Sequence, residues 1–358
     1  MLKNIKYYFF YLIYLSIFVI VLAEIIFRIL PTQNLFTLQK VDSKSTIIRY
    51  EPNKKVKFSL GWNFYQTSKK ETNNYGFVSS KDYIKNGEPN VMVIGDSYVE
   101  AMQISHKKTI SETIEQNNAG LNVYSIGISE VPLSQYIKFI EFAEKEFNPK
   151  EYLIVVVGND FDESLCSYKQ KQGTYCFDEN FKLQLISFPG YSKKRRLGRN
   201  SAFVRYIILN LKIDWRNLIS KLGMKDDGLS DRPEYAGNTE KNKNKEIEIL
   251  SLRAIDQFLS QVSSITKNKK VTIIVDADRN DIYTGLRTTD SYFYKMRAHL
   301  IEKAKITEVG IVDLRPIFEN HFKEFGQSFN FPTDGHWNEL GHELAAKAYL
   351  NLKKNNLN

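Results

Sequence analysis

The chain has little cysteine and little histidine, with two and five residues among 358. The cysteines are Cys166 and Cys176, which flank a polar stretch, and neither has metal-ligand spacing with a histidine. A metal site is therefore not expected. The spacing suits a hairpin stapled by a disulfide in an oxidising compartment, and two unpaired thiols are the alternative.

The chain also lacks a phosphate-binding glycine loop and any nucleic-acid-binding signature, although its formal net charge is +9. Much of the basic charge lies in two polar stretches, 193–196 and 239–245. Such stretches are expected to be solvated loops, and contact with anionic lipid headgroups or an acidic glycan is the alternative. Neither nucleic acid nor a cofactor is expected as a partner.

What the chain does have is an uncharged apolar run from Tyr7 to Ala23, and apolar residues continue to Leu30. Because about 20 residues cross a bilayer core, residues 1–30 are predicted to be a transmembrane helix. Large residues follow the run where a signal peptide would have a small-residue cleavage site, which favours an uncleaved anchor. Basic residues precede the run, so the positive-inside rule predicts a cytoplasmic N-terminus and the rest of the chain outside.

Short apolar runs alternate from about residue 90 with segments of helical length. Continuous apolar strands between helices imply a parallel sheet that is covered on both faces. The predicted fold is α/β, a flavodoxin-like three-layer sandwich with a five-stranded parallel sheet. The predicted strands are 91–95, 122–127, 152–158, 271–277 and 310–314, and the predicted helices are 107–118, 133–146, 246–266, 291–305 and 339–352.

The predicted domain organisation follows from this pattern. Residues 31–88 have few periodic stretches and are expected to be a tether that wraps onto the domain formed by residues 89–358. An insertion at about 166–246 breaks the alternation of strands and helices and contains a predicted helix at 201–221. Ligands of such sheets bind beyond the C-terminal ends of the strands, so residues at those positions are the candidates for function.

Three groups of polar residues lie at the C-terminal end of a predicted strand or in the loop before the last helix. Ser97 follows the first strand on a tight turn into a helix, where a nucleophile would project above the sheet edge and where a helix cap is the alternative. Asn159 follows the third strand and could donate its amide to an oxyanion, although an Asx turn is the simpler role. His336 stands two residues after Asp334, so a base and its orienting acid precede the last helix.

Together these residues resemble a known family. Residues 95–97 (Gly-Asp-Ser), 158–160 (Gly-Asn-Asp) and 334–338 (Asp-Gly-His-Trp-Asn) are similar to the first, third and fifth sequence blocks of the SGNH/GDSL hydrolase superfamily, in the family's chain order. The resemblance covers about residues 89–352. It implies the SGNH fold, a serine esterase or acyltransferase activity, and no cofactor.

The resemblance also implies the role of each residue. Ser97 would be the nucleophile, His336 the general base and Asp334 the triad acid, while the Ser97 N–H and the Asn159 side chain would bind the oxyanion. The family's second block has a glycine where this chain has Glu130, whose backbone N–H would have to serve as the remaining donor. Many members place the acid three residues before the histidine, whereas the Asp-x-His-Trp spacing found here resembles relatives that act on bacterial exopolysaccharides, including the alginate O-acetylation proteins.

Two further residues lie at the predicted rim. Asp278 and Arg279 follow the fourth strand and are candidates to bind substrate, with an ion pair between Arg279 and neighbouring aspartates as the alternative.

The resulting expectation is an enzyme anchored in a bacterial inner membrane that cleaves or transfers acyl groups, above all acetyl, on cell-surface polysaccharide. A catalytically idle domain that binds glycan or scaffolds an export complex is the second hypothesis. An esterase that acts on lipid is the third.

Overall fold

Five apolar runs form the central sheet of the computed structural model, which describes residues 2–213 and 234–355. All five strands run parallel in the order β11-β10-β5-β3-β4, and the predicted α/β fold class is thereby confirmed. The strands are β3 (Val91–Gly95), β4 (Val123–Gly127), β5 (Glu151–Val156), β10 (Lys270–Val275) and β11 (Gly310–Asp313).

The register brings the ends of three strands together. Gly95 of β3 is level with Gly127 of β4, and Ile94 is level with Ile154 of β5. Since β3 lies between β4 and β5, a residue after β3 has the loops that follow β4 and β5 on either side. The loop after β3 is therefore the centre of this sheet edge.

Helices cover the sheet in two groups, whose members contact each other. Val91 and Val93 lie in one buried cluster with α3 and α12, and side chains alternate along a strand, so the other group covers the opposite face. The first group is α3 (Ile110–Gln116), α11 (Leu314–Phe325) and α12 (Glu339–Asn355), and the second is α4 (Leu133–Glu146), α8 (Lys245–Thr266) and α10 (Tyr292–Ile306).

Shorter elements shape the loops at the ends of the strands. The short helices are α2 (Ser97–Glu100), α5 (Asn159–Asp162), α6 (Lys193–Asn200), α7 (Ala202–Arg205) and α9 (Arg279–Thr284), with a 3-10 turn at His106–Lys108 and a π-helical turn at Tyr206–Asn210. Four two-stranded sheets pair β1 (Lys55–Leu60) with β2 (Gln66–Glu71), β6 (Tyr175–Phe177) with β7 (Leu183–Leu185), β8 (Tyr235–Ala236) with β9 (Thr239–Glu240), and β12 (Asn330–Phe331) with β13 (Asp334–Trp337).

Several predicted boundaries differ from the observed ones. The helix predicted at 107–118 begins only at Ile110, after the 3-10 turn, and α11 was not predicted. The helix predicted at 201–221 is α-helical over Ala202–Arg205 and continues as the π-helical turn, while its part from residue 214 lies outside the described residues.

The chain divides into two compact units, which differ from the domains predicted from the sequence. Among the described residues, the first unit comprises 2–36, 55–70 and 191–213, and the second comprises 37–54, 71–190 and 234–355. Part of the predicted insertion thus belongs with the N-terminal helix, and the predicted tether is shared between the units. The central sheet lies entirely in the second unit.

The first unit contains the long N-terminal helix, α1 (Leu2–Ile29). Its side chains from residue 7 to residue 22 are all exposed. The stretch Tyr7–Ile29 is long and apolar enough to cross a membrane, a test of length and composition that a signal sequence also passes.

Candidate active site

Ser97 is the first residue of α2, directly after the buried strand β3. The preceding Asp96 caps this helix, because its carboxylate accepts a hydrogen bond of 2.9 Å from the Tyr98 N–H. The turn leaves the Ser97 side chain partly exposed while its neighbours on both sides are buried. The strand-to-helix turn that the sequence predicts is therefore present, with the hydroxyl accessible above the sheet.

His336 lies within hydrogen-bonding distance of Ser97, with 2.8 Å between the His336 Nε2 and the Ser97 Oγ. The Asp334 carboxylate contacts the His336 Nδ1 and also accepts a bond of 3.0 Å from the His336 backbone N–H. The Asp334 side chain is 6% exposed, against 27% for His336. A shielded carboxylate on Nδ1 orients the ring and favours the tautomer whose Nε2 accepts a proton from serine.

The strand β13 explains how Asp334 can reach His336 from only two residues away, because residues two apart in a strand point to the same face. Both residues belong to β13, and one carboxylate oxygen serves the backbone and the ring of the same histidine. The structure thus brings together the serine, histidine and aspartate that the sequence nominated.

A buried ion pair supports the loop that carries the histidine. Arg279 pairs with Asp276 at 2.5 Å and donates to the Gly335 carbonyl at 2.6 Å and to the Tyr98 hydroxyl at 2.8 Å. Tyr98 donates to the same carbonyl at 2.9 Å, and the Trp337 indole N–H donates to Asp276 at 3.0 Å. Gly335 and Trp337 flank His336, so this network holds the base against the helix that carries Ser97.

The two rim residues predicted to bind substrate have structural partners. Arg279 is buried in the ion-paired arrangement that the sequence left as the alternative, and Asp278 caps α9 by accepting from the Asn280 and Asp281 N–H groups. Both residues nevertheless line an open cleft of about 300 Å³, together with Tyr235, Asn238 and Asn280. Any contact that they make with substrate would come in addition to these bonds.

The loop after β4 approaches α2 from the other side of Ser97. A Cβ on Gly127 would lie 2.5 Å from the Glu100 backbone nitrogen, so only glycine permits this close contact. Glu130 in this loop has φ +60°, a left-handed conformation that glycine favours. The backbone at Glu130 thus has the conformation suited to the glycine that stands here in the superfamily the sequence resembles.

Glu100 holds this loop through its buried carboxylate. The carboxylate accepts from the Ser129 N–H at 3.0 Å, from the Ser129 hydroxyl, and from the Tyr50 hydroxyl at 2.6 Å. Lys171 contacts the Ser129 carbonyl and pairs with Glu130 at 3.3 Å. Burial raises the pKa of Glu100 above its ordinary value, although these hydrogen bonds act in the opposite direction. Glu100 is thus a positioning residue for the segment that contains the Glu130 N–H.

Asn159 is the first residue of α5, which follows β5 after a two-residue loop of Val157 and Gly158. Its amide donates to Glu163 at 3.3 Å, and its carbonyl oxygen accepts from the Asn238 amide at 2.6 Å. A Cβ on Gly158 would lie 1.9 Å from the Gly237 carbonyl oxygen, so a glycine is needed for the β8–β9 hairpin to come this close. The neighbouring hairpin therefore fixes the direction of the Asn159 amide, whose second N–H remains available to a ligand.

Two buried aspartates lie at the ends of β3 and β5. Asp96 accepts from the Ser97 hydroxyl at 3.1 Å, and burial raises the pKa of Asp96 to about 6. Burial and the charge of Asp96 raise the pKa of Asp160 well above its ordinary range, and Asp160 accepts from the Tyr136 hydroxyl at 3.0 Å. Since a serine hydroxyl has one proton, Asp96 competes with His336 for it, and this competition weakens as Asp96 becomes protonated.

One of the two cysteines, Cys176, belongs to β6, which pairs with β7 in a small sheet of the second unit. Cys166 and Cys176 form a disulfide with 5.1 Å between their Cα atoms, so the stapled arrangement is the one adopted. Within the described part of the chain, no group of three or more histidine, cysteine, aspartate or glutamate side chains could hold a metal ion.

Several residues of the site escaped the sequence reasoning. Glu100 lies in the otherwise apolar stretch 98–102 of Tyr-Val-Glu-Ala-Met, and a single carboxylate among buried residues could have identified it. Tyr50 and Asn238 carry no local signal, because each acts through a partner that is distant in the sequence.

Comparison with known proteins finds similarity to solved structures alone. No family model and no curated protein matches the chain. A solved structure described as a member of the lipolytic protein G-D-S-L family from Veillonella parvula is 13% identical, covers 73% of this chain and 96% of its own, and gives a TM-score of 0.40.

Two other solved structures give similar values. A lipase/acylhydrolase from Enterococcus faecalis is 12% identical, with coverage of 75% and 96% and a TM-score of 0.39. An acetyl xylan esterase from Butyrivibrio proteoclasticus is 10% identical, with coverage of 79% and 67% and a TM-score of 0.36. The inferences below rest on the strand order and site geometry of this chain.

Proposed function

We propose that this chain is a serine ester hydrolase or O-acyltransferase that uses Ser97 as nucleophile. The observation that carries the proposal is the continuous chain of contacts from the Ser97 Oγ through the His336 ring to the Asp334 carboxylate, at the C-terminal edge of the parallel sheet. Nucleophile, base and orienting acid in this order are the arrangement that acyl transfer needs.

In the first half of the reaction, His336 Nε2 takes the Ser97 proton while the Oγ attacks the ester carbonyl. The tetrahedral oxyanion would be bound by the Ser97 N–H, the Glu130 N–H and the Asn159 amide, which come from the loops after three adjacent strands. Its collapse expels the alcohol, which takes the proton from His336, and leaves an acyl group on Ser97. Water or a sugar hydroxyl then reverses these steps, giving hydrolysis or transfer.

We further propose that the substrate is an acylated, above all acetylated, cell-surface polysaccharide outside the cytoplasmic membrane. The open cleft of about 300 Å³ supports this, because it presents amides of Asn238 and Asn280 and the 64% exposed ring of Tyr235. Amides and an aromatic face suit the hydroxyls and the apolar face of a sugar ring. Asp278 and Arg279 are proposed to contribute to this cleft.

The location outside the membrane has separate support. The apolar stretch Tyr7–Ile29 of α1 would anchor the chain, with basic residues on its N-terminal side in the cytoplasm of a bacterium. The disulfide between Cys166 and Cys176 is typical of an oxidising compartment. Protease protection of the N-terminus in sealed spheroplasts, with digestion of the remaining chain, would test this orientation.

The test of the chemistry is hydrolysis of 4-nitrophenyl acetate by the detergent-solubilised full chain. Ser97→Ala and His336→Ala are each expected to lower the rate by at least about 10³-fold, and Ser97→Ala to abolish labelling by a fluorophosphonate probe. Ser80→Ala, which changes an exposed serine, is the matched control and should leave both measurements unchanged. Turnover that survives Ser97→Ala would contradict the proposal.

A second candidate is a catalytically idle domain that binds glycan. It is favoured by the Asn159 amide, which is already bonded to Glu163 and Asn238, and by Glu130 in place of the family's glycine. This candidate predicts binding of acetylated polysaccharide that survives Ser97→Ala, without turnover of any ester. The lipid-acting alternative predicts that 4-nitrophenyl decanoate is cleaved faster than the acetate.

A further inference from the structure

The first unit joins the end of the candidate membrane helix to the segment from α6 to the π-helical turn. The Glu24 carboxylate of α1 accepts from the Ser201 hydroxyl at 2.8 Å, from the Phe203 N–H at 2.9 Å and from the Ala202 N–H at 3.0 Å. The Phe27 ring stacks on Tyr206 with 3.9 Å between ring centroids. Glu24 and Phe27 lie in the last two turns of α1, so the attached segment lies where that helix would leave a bilayer.

The helix held at this position is strongly basic. α6 has the sequence Lys-Lys-Arg-Arg-Leu-Gly-Arg-Asn, with five basic residues and no acidic one. Lys193, Arg195 and Arg196 are exposed, and none of the three forms an ion pair within the described residues. Leu197 on the same helix is 74% exposed. An uncompensated basic surface with an exposed leucine, adjacent to a membrane helix, matches the charge and apolarity of a bilayer surface that contains anionic lipid.

A cleft of about 460 Å³ lies beside α6 in the same unit. Its lining includes three arginines, Arg195, Arg199 and Arg205, and four apolar residues, Leu35, Val204, Ile208 and Leu209. Arg199 also donates to the Phe36 carbonyl at 2.6 Å, and Arg205 donates to the Arg199 carbonyl at 3.0 Å, so two of the guanidinium groups are fixed by the backbone. Guanidinium groups beside an apolar wall are complementary to a phosphodiester joined to acyl chains.

We propose that α6 and the cleft beside it bind the headgroup of an anionic phospholipid at the membrane surface. The proposal rests on the part of the proposed function that places α1 across a membrane and is independent of the ester chemistry. The sequence predicts a solvated loop at 193–196, whereas this basic stretch is the first turn of α6. In the proposal it is a lipid contact that fixes the chain at the bilayer surface.

Native mass spectrometry of the full chain in detergent micelles tests the proposal with short-chain phospholipids. Dihexanoyl phosphatidylglycerol is expected to remain bound at concentrations at least tenfold lower than dihexanoyl phosphatidylcholine. In the variant Lys193→Gln/Arg195→Gln/Arg196→Gln, the ratio of the two lipid concentrations should fall at least tenfold. The three charges are removed there without disturbing Arg199 or Arg205. Equal retention of the two lipids by the unchanged chain would overturn the proposal.

Two control variants separate the charge of α6 from the identity of its side chains and from the net charge of the whole chain. The charge-conserving variant Lys193→Arg/Arg195→Lys/Arg196→Lys should keep the preference, and so should Lys182→Gln/Lys305→Gln/Lys323→Gln, which removes three exposed charges from the second unit. Loss of preference in either variant would contradict the proposal.

Two competitors distinguish other ligands. Each competitor is added at the same concentration of charge as phosphatidylglycerol. Displacement of the lipid by inorganic phosphate would mean that the site binds a free anion, and displacement by polygalacturonate would mean that it binds an acidic glycan. Either result would overturn the proposal. Because the readout is bound lipid, a chain without esterase activity would still pass this test, and the failure of either proposal can be recognised separately.

Discussion

Two loops flank the Ser97 hydroxyl, and they are held in different ways. The loop with His336 is fixed by a buried ion pair of Arg279 and Asp276, whose groups reach the Gly335 carbonyl and the Trp337 indole. The loop with Glu130 has the Glu100 carboxylate as its buried support, which accepts from neutral N–H and O–H groups, while Lys171 contacts the same loop from its partly exposed side.

The two supports respond differently to pH, because one contains a permanently charged guanidinium and the other depends on a carboxylate that can be protonated. Arg279 has a guanidinium, which does not lose its proton in proteins, so the support of the base loop persists across the working range of pH. The pKa of Glu100 is raised by burial, so its carboxylate takes up a proton at a higher pH than an exposed glutamate would. A protonated carboxyl accepts fewer hydrogen bonds, and the oxyanion side of the site is therefore the side that acid should weaken first.

The largest effect is expected on the base side, from Asp334→Asn. The amide keeps the shape of the side chain but cannot stabilise the imidazolium, and it favours the wrong tautomer of His336. We expect kcat for 4-nitrophenyl acetate to fall by about 10⁴-fold, with little change in the free energy of unfolding. Measurement of kcat beside urea unfolding tests this. A fall below tenfold would show that another group orients His336.

Arg279→Met tests the ion pair that supports the same loop. Removing the guanidinium leaves Asp276 buried with the Trp337 N–H as a remaining donor, which should lower the free energy of unfolding by about 3 to 5 kcal/mol. Urea unfolding of the full chain in detergent measures it. Arg279→Met/Asp276→Leu should recover part of the loss, since no lone charge then remains.

The matched control for this pair is Lys347→Met, which breaks an exposed ion pair with Glu343 on α12. Exposed pairs contribute little, so a change within about 0.5 kcal/mol is expected. If Lys347→Met lowered the free energy of unfolding as much as Arg279→Met does, the burial of the Arg279–Asp276 pair would not explain its contribution to stability.

Glu100→Gln tests the oxyanion side. The amide has one acceptor oxygen instead of two, so it cannot accept from Ser129 and from the Tyr50 hydroxyl together, as the carboxylate does. The loop should therefore shift, and kcat should fall by about 10-fold to 100-fold with KM nearly unchanged. The unchanged chain should exceed the variant in kcat by a smaller factor as the pH falls through the raised pKa of Glu100. At low pH the Glu100 carboxyl is protonated and therefore as uncharged as the amide of the variant. A ratio that is constant with pH, or a change in KM alone, would assign Glu100 a purely structural role.

The central sheet could be predicted from the sequence because its signals are local. β3 was predicted with its observed bounds, Val91–Gly95, since an apolar run ended by glycine is complete within five residues. The helix α11 was missed although Leu314, Ile317 and Phe318 follow helical spacing. The strand predicted at 310–314 covered its first residue. Pro316 lies in the first turn of this helix, where proline is tolerated because its missing N–H has no partner to lose.

The residues of the site also differ in whether a local sequence signal marks them. Ser97, Asn159 and His336 could be nominated because each follows a predicted strand or precedes the last helix. The supports of these residues could not, because they join positions that are distant in the sequence, such as Tyr98 with Gly335 and Tyr50 with Glu100. Sequence periodicity predicts which edge of the sheet a residue reaches, whereas the partners at that edge depend on the packing of separate elements.

The smallest expected effect is that of Glu130→Gly, which separates the backbone of the oxyanion loop from its side chain. The left-handed φ of +60° costs a glutamate about 1 kcal/mol that glycine does not pay, and part of this gain is offset by the greater freedom of glycine in the unfolded chain. We expect a gain in the free energy of unfolding of about 0.5 kcal/mol and unchanged kcat, because the proposed donor is a backbone N–H. Glu130→Ala keeps the strain but loses the ion pair with Lys171, so it should show no gain. A large fall in kcat in both variants would instead mean that the Glu130 carboxylate itself takes part in the reaction.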